Sequence, residues 1–161
     1  MRTQRMVSSV ERLGTDEVSA LVRAVVTSLR PRWVRIDAYG RPADEVEEVR
    51  RRLAGLARRP GAIAVDVDDP AAVELLAAYA PWSADVEIGV SGPVDLLLEI
   101  LDGETVILDV PPTLRERIGV MIDPDRWDDF HPRRSLVGQA WSAVRHRRDA
   151  GRRGGRGGAG S

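Results

Sequence analysis

Residues 84–110, ADVEIGVSGPVDLLLEILDGETVILDV, constrain the fold more than any other stretch. Apolar and polar positions alternate there through three short runs separated by turn residues. A period of two sends alternate side chains to opposite faces of a strand. Ala84, Val86, Ile88 and Val90 then share one face of the first run. Val94, Leu96, Leu98 and Ile100 share a face of the second, and Val106, Leu108 and Val110 a face of the third. The turns fall at "SGP" and "DGE". The expected unit is a three-stranded antiparallel meander with one buried face.

The segments before it read as helices and strands in turn. "TDEVSALVRAVVTSLRP" predicts a helix capped by Thr15 and stopped by Pro31, with Val18, Leu21, Val22, Val25, Val26 and Leu29 as its apolar stripe. "RWVRIDAY" predicts a strand. "RPADEVEEVRRRLAGLARRPG" predicts a helix facing Val46, Val49, Leu53 and Leu56 inward and running through Gly55. Residues 62–67 predict a short apolar strand suited to the middle of a sheet. Asp69 and Pro70 form an N-cap and N1 pair for the next helix, which Pro81 closes. After the meander, Thr113 and Glu116 match a capping box, and "DPDRWDDFHP" reads as a turn or short helix. "SLVGQAWSAVRHRRD" predicts a last amphipathic helix with Val137, Ala140, Trp141 and Val144 on one side.

The fold class expected is α+β or mixed α/β, with a single sheet ending in the antiparallel meander and packed by helices. A chain of 161 residues suits one domain, expected over residues 15–147. Residues 1–14 are expected as a flexible N-terminal segment and residues 148–161 as a disordered Arg/Gly-rich tail.

The formal charge of −1 conceals a division along the chain. Residues 61–130 carry 16 acidic residues against 3 arginines, while residues 131–161 carry 8 arginines against a single acid. All 24 basic residues are arginine, which removes lysine-based chemistry such as a Schiff base or a P-loop lysine. The absence of cysteine removes disulfides, zinc–thiolate sites and thiol nucleophiles. No apolar run reaches the length of a membrane span, and the N-terminus lacks the apolar core of a signal peptide, so the expectation is a cytoplasmic protein without membrane contact. No cofactor is expected.

The outward polar positions of the meander are acidic: Asp85, Glu87, Asp95, Glu99 and Asp109, with Leu97, Leu101 and Ile107 on the same nominal face. Like charges opposite one another on neighbouring strands repel. This face reads in one of two ways. It is a solvated surface, or it is the partner-binding site for a basic protein, with the leucines and isoleucine as its apolar centre or as ground covered by a terminal helix. The interaction reading makes the chain a small acidic module, akin to an immunity or antitoxin-like inhibitor.

Two alternatives stand beside it. Asp95 and Asp109 flank the "DGE" hairpin in a spacing that resembles the acidic pair of the restriction-endonuclease-like nucleases, which implies a metal-dependent hydrolase or nuclease holding Mg²⁺ between carboxylates. The position where that family places a lysine is Pro111 here. The other alternative is a nucleic-acid-binding accessory protein working through "RRGGRGG". His131, beside Asp128 and Asp129, is accompanied by no serine elbow and no cysteine nucleophile, and His146 lies among arginines. Trp82 and Trp127 fall at element boundaries, where they serve the core edge or an interface.

Overall fold

The computed structural model describes residues 5–38, 44–58 and 61–130. The chain begins with β1 (Met6–Ser9) and the short helix α1 (Val10–Leu13), which Ser9 caps by accepting the Arg12 N–H at 3.0 Å. Residues 6–13 thus belong to the fold, ahead of the start expected at residue 15.

Helix α2 (Thr15–Leu29) buries Val18, Leu21, Val22, Val25 and Val26, the stripe read from the sequence. Its N-cap is Gly14, not Thr15, and no side chain caps it. The positive φ of Gly14 swings the chain from α1 into α2. Arg30 ends α2 in the left-handed region, and Pro31 follows.

Strand β2 (Trp33–Ile36) leads to a 3₁₀ turn at Asp44–Val46 and helix α3 (Glu47–Ala54). Gly55 ends α3 where the sequence reading carried the helix onward. Leu56 is 39% exposed, outside the inward stripe assigned to it. Strand β3 is only Ile63–Ala64 and pairs with β2 alone, so it is an edge strand, not a central one. Its shortness has a local cause. The Asp66 carboxylate accepts the Asp68 N–H at 2.9 Å and winds the chain out of the sheet. Helix α4 (Pro70–Tyr79) then starts on the expected cap, with Asp69 accepting the Ala71 N–H at 2.9 Å.

After a 3₁₀ turn at Ala80–Trp82 come β4 (Val86–Gly89), β5 (Leu96–Leu101) and β6 (Thr105–Leu108). The β5–β6 turn places Asp102 and Gly103 at positive φ, as a tight hairpin requires. The β4–β5 connection is wider than the sequence suggested. Val90 and Val94 were assigned to buried strand positions but are 53% and 89% exposed in the turn. Helix α5 (Pro112–Met121) is entered from Pro111, so Thr113 lies inside the helix and forms no capping box. A 3₁₀ turn at Pro124–Arg126 leads to β7 (Asp128–Asp129).

All strand pairings are antiparallel, and the single sheet runs β3-β2-β4-β5-β6-β1-β7. The protein is therefore mixed α/β with one antiparallel sheet packed by helices. The sheet does not end at β6, because β1 and β7 extend it on that side. One cross-strand row, Val34–Ile88–Leu98–Leu108–Met6, and the next, Ile36–Val86–Ile100–Val106, join the stripes of α2 and α4 in one buried core. Arg23 links α2 to Glu74 of α4, and Arg117 of α5 donates to Ser28 of α2, so these helices pack side by side. Among the described residues no helix is long and apolar enough to cross a membrane. The last amphipathic helix and the Arg/Gly tail expected from the sequence, with His131, Trp141 and His146, lie outside the described residues.

Candidate functional site

The face of the sheet opposite the core rows is built by strand parity. Arg35 of β2 lies opposite Glu87 of β4, Glu87 opposite Glu99 of β5, Glu99 opposite Ile107 of β6, and Ile107 opposite Val7 of β1. Two carboxylates and two apolar side chains thus form one row across four strands, ending on an arginine. Trp33, two residues before Arg35 and on the same face, donates its indole N–H to Glu87 Oε2 at 3.3 Å. The Arg35 guanidinium stands 5.3 Å from the centre of the Trp33 ring.

The middle of this face is not wet. Glu99 is 6% exposed, Ile107 8% and Leu97 9%. Glu87, Leu101 and Asp109 are half-buried around them, while Asp85 and Asp95 are exposed. Leu101 pairs with Thr105 at the hairpin. Leu97 is the residue skipped at the irregularity in the β4–β5 register, between the paired Leu96 and Leu98, and its carbonyl accepts the Asp109 N–H at 2.8 Å. Asp95 sits in the β4–β5 turn and accepts the Ser91 hydroxyl at 3.1 Å. The eight residues singled out in the sequence therefore separate. Glu87, Glu99 and Ile107 share one row, Leu97, Leu101 and Asp109 flank it, and Asp85 and Asp95 stand at opposite ends of β4. Among the described residues no three His, Cys, Asp or Glu side chains come together as a metal-binding group.

Although Asp85 as a residue is exposed, partial loss of solvation at its carboxyl is the chief cause that pushes it above the usual carboxylate range. A hydrogen bond from the Asp102 backbone opposes this, and the negative charges of Asp102, Asp37 and Glu87 add to it. The folded state then holds a proton on Asp85 more tightly than the unfolded state does. This group weakens the fold as pH rises through its folded pKa, and the penalty vanishes below its unfolded value of about 3.9. Asp85→Asn is expected to raise stability at pH 7 and to have no such effect near pH 3.5, as measured by urea unfolding at the two pH values. An equal effect at both would show that the raised carboxyl is not the cause.

The sequence reading missed the arginines beside this face. Arg32, Arg35 and Arg58 line a cavity of about 720 Å³ with Trp33, at the β3 edge of the sheet. The alternation in "RWVR" places Trp33 and Arg35 on one face, but the cavity depends on β2 lying between β3 and β4. No protein-family model matches this chain, and neither the curated proteins nor the solved structures hold a match to it.

Proposed function

We propose that this chain is a small acidic protein-interaction module of the cytoplasm that receives a basic protein on the carboxylate-bearing sheet face, as an immunity or antitoxin-like inhibitor does. The direct opposition of Glu87 and Glu99 supports this reading most. Two like charges facing each other across a strand pair repel, and a partner's cationic group would add to the relief that the Trp33 indole and the facing Arg35 already give Glu87. Leu101, half-buried, supplies apolar surface beside the acids, with the buried Leu97 and Ile107 behind it, and the exposed Asp85 and Asp95 lie where long-range attraction steers approach.

The test uses a partner isolated on the wild-type chain from native lysate and then purified. Glu87→Arg with Glu99→Arg is expected to weaken that complex by at least about tenfold, because each reversal turns an attraction into a repulsion. Glu87→Gln with Glu99→Gln serves where the double reversal disturbs the circular-dichroism spectrum. Unchanged affinity and unchanged salt dependence in a folded variant would remove the proposal.

A further inference from the structure

Two segments far apart in sequence hold each other at one end of the sheet. One is β1 with α1, and the other is residues 123–130, which carry the last 3₁₀ turn and β7. Their attachment is reciprocal. Arg12 of α1 donates to the Asp128 carboxylate at 2.7 Å and to the Asp125 carbonyl. Arg126 donates back to the Leu13 carbonyl at 3.2 Å and the Arg12 carbonyl at 3.3 Å, where α1 ends, and pairs with Glu17 in the first turn of α2. Ser8 donates its hydroxyl to the Arg126 carbonyl at 2.6 Å, and the Phe130 N–H donates to the Arg5 carbonyl at 2.9 Å.

Little apolar burial supports these polar contacts. Asp123, Pro124, Asp125, Asp128 and Asp129 are exposed, and Trp127 is the member of the segment that packs against the core. The closed arrangement also carries a penalty. Among the described residues four buried side-chain polar atoms have no hydrogen-bond partner, and two of them are Arg5 Nε and Trp127 Nε1. Arg5 precedes β1 with its guanidinium 5.1 Å from the centre of the Phe130 ring, and Trp127 lies in the second segment itself. A buried donor without an acceptor weakens the packing that buries it, and water satisfies it once it is uncovered. The ion pairs that oppose release are partly exposed, so salt screens them.

We propose that residues 123–130 form a latched strap, which leaves β1 and α1 as a unit while β1 stays paired with β6. Arg12 and Arg126 are the latch, and rising ionic strength releases it. β1 stays behind because four residue pairs join it to β6 and only two join it to β7. Release bares the outer edge of β1 and withdraws Asp128, which lies opposite Val7 at the end of the row through Ile107, Glu99 and Glu87. The strap does not depend on the protein-interaction reading.

Hydrogen exchange of the full chain, read amide by amide by NMR at about 50 mM and about 500 mM NaCl, tests this. The Phe130 N–H, bonded to Arg5, should exchange at least about threefold faster at the higher salt. The Val10 N–H, bonded to the Glu104 carbonyl beside β6, and the amides of β5 should keep their rates. At the lower salt, Arg12→Gln with Arg126→Gln should speed Phe130 exchange at least about tenfold and remove most of the response to salt. Arg12→Gln alone, at an exposed side chain, serves where the double variant disturbs the circular-dichroism spectrum. A Phe130 rate that neither salt nor the variants change overturns the proposal. So does a Val10 rate that rises with that of Phe130, because β1 then leaves with the segment or the whole fold opens.

Discussion

Truncating Ile100 to alanine is expected to cost about 2–5 kcal/mol of folding free energy. Ile100 is wholly buried on β5, between Val86 of β4 and Val106 of β6, both also buried. The loss combines the transfer free energy of three carbons with the cavity they leave. The surrounding sheet relaxes little, because strands hydrogen-bonded on both sides hold its backbone. Val94→Ala is the control. It removes two carbons from a side chain that is 89% exposed in the β4–β5 turn, so it should change stability by less than about 0.5 kcal/mol. Urea unfolding of the two variants reads the difference directly. A cost below about 1 kcal/mol for Ile100→Ala would mean that the core is not closed around β5.

The second large effect is expected at Gly89. A Cβ built there meets the carbonyl oxygen of Gly92 at 2.4 Å and that of Asp95 at 3.2 Å. Both contacts are with backbone, so no side-chain rotation relieves them. The turn is held by the Val90 N–H donating to the Asp95 carbonyl and by the Arg32 N–H donating to the Val90 carbonyl. Admitting a methyl group means breaking part of that arrangement, and Gly89→Ala should cost about 2–3 kcal/mol, as overpacking of a closed site does. Gly92→Ala, three residues on, meets nothing within 4 Å and should be nearly neutral. Equal effects of the two substitutions would show that helix or strand preference, not close approach, governs this turn.

The contrast between Gly89 and its neighbours illustrates what the sequence could and could not disclose. Alternation carried strand identity from Val86 to Leu108, because residues two apart share a face whatever the strand pairs with. The same parity set Glu87, Glu99 and Ile107 on one face before any partner strand was known. The α2 stripe and the Asp69–Pro70 helix start were legible for a similar reason, since both depend on residues within one or two turns. What stayed hidden depends on neighbours distant in sequence. β1, "MVSS", is too short and too polar to announce a strand, and β7 is two aspartates with no strand preference. Each is held in place by pairing, β1 between β6 and β7, and β7 against β1. The cavity of Arg32, Arg35 and Arg58 was likewise invisible, because it exists only once β2 has been placed beside β3. Short-range competition explains the remaining differences. Asp66 turned the chain out of β3, Gly55 ended α3, and Pro111 took the entry to α5 that Thr113 was expected to cap.

The position of β1 has a consequence for how the protein is made. Met6 lies opposite Leu108 on one side and Asp129 on the other, so both strands that complete its hydrogen bonding are synthesised long after it. At ribosomal rates the wait for β6 is roughly 5–20 s, during which both edges of β1 have no partner strand. Ser8 and Ser9 suit such a wait, because a half-polar strand is a poorer template for stray pairing than an apolar one. Met6 completes its core row only when Leu108 arrives, so β1 is translated well before the strands that fix its place.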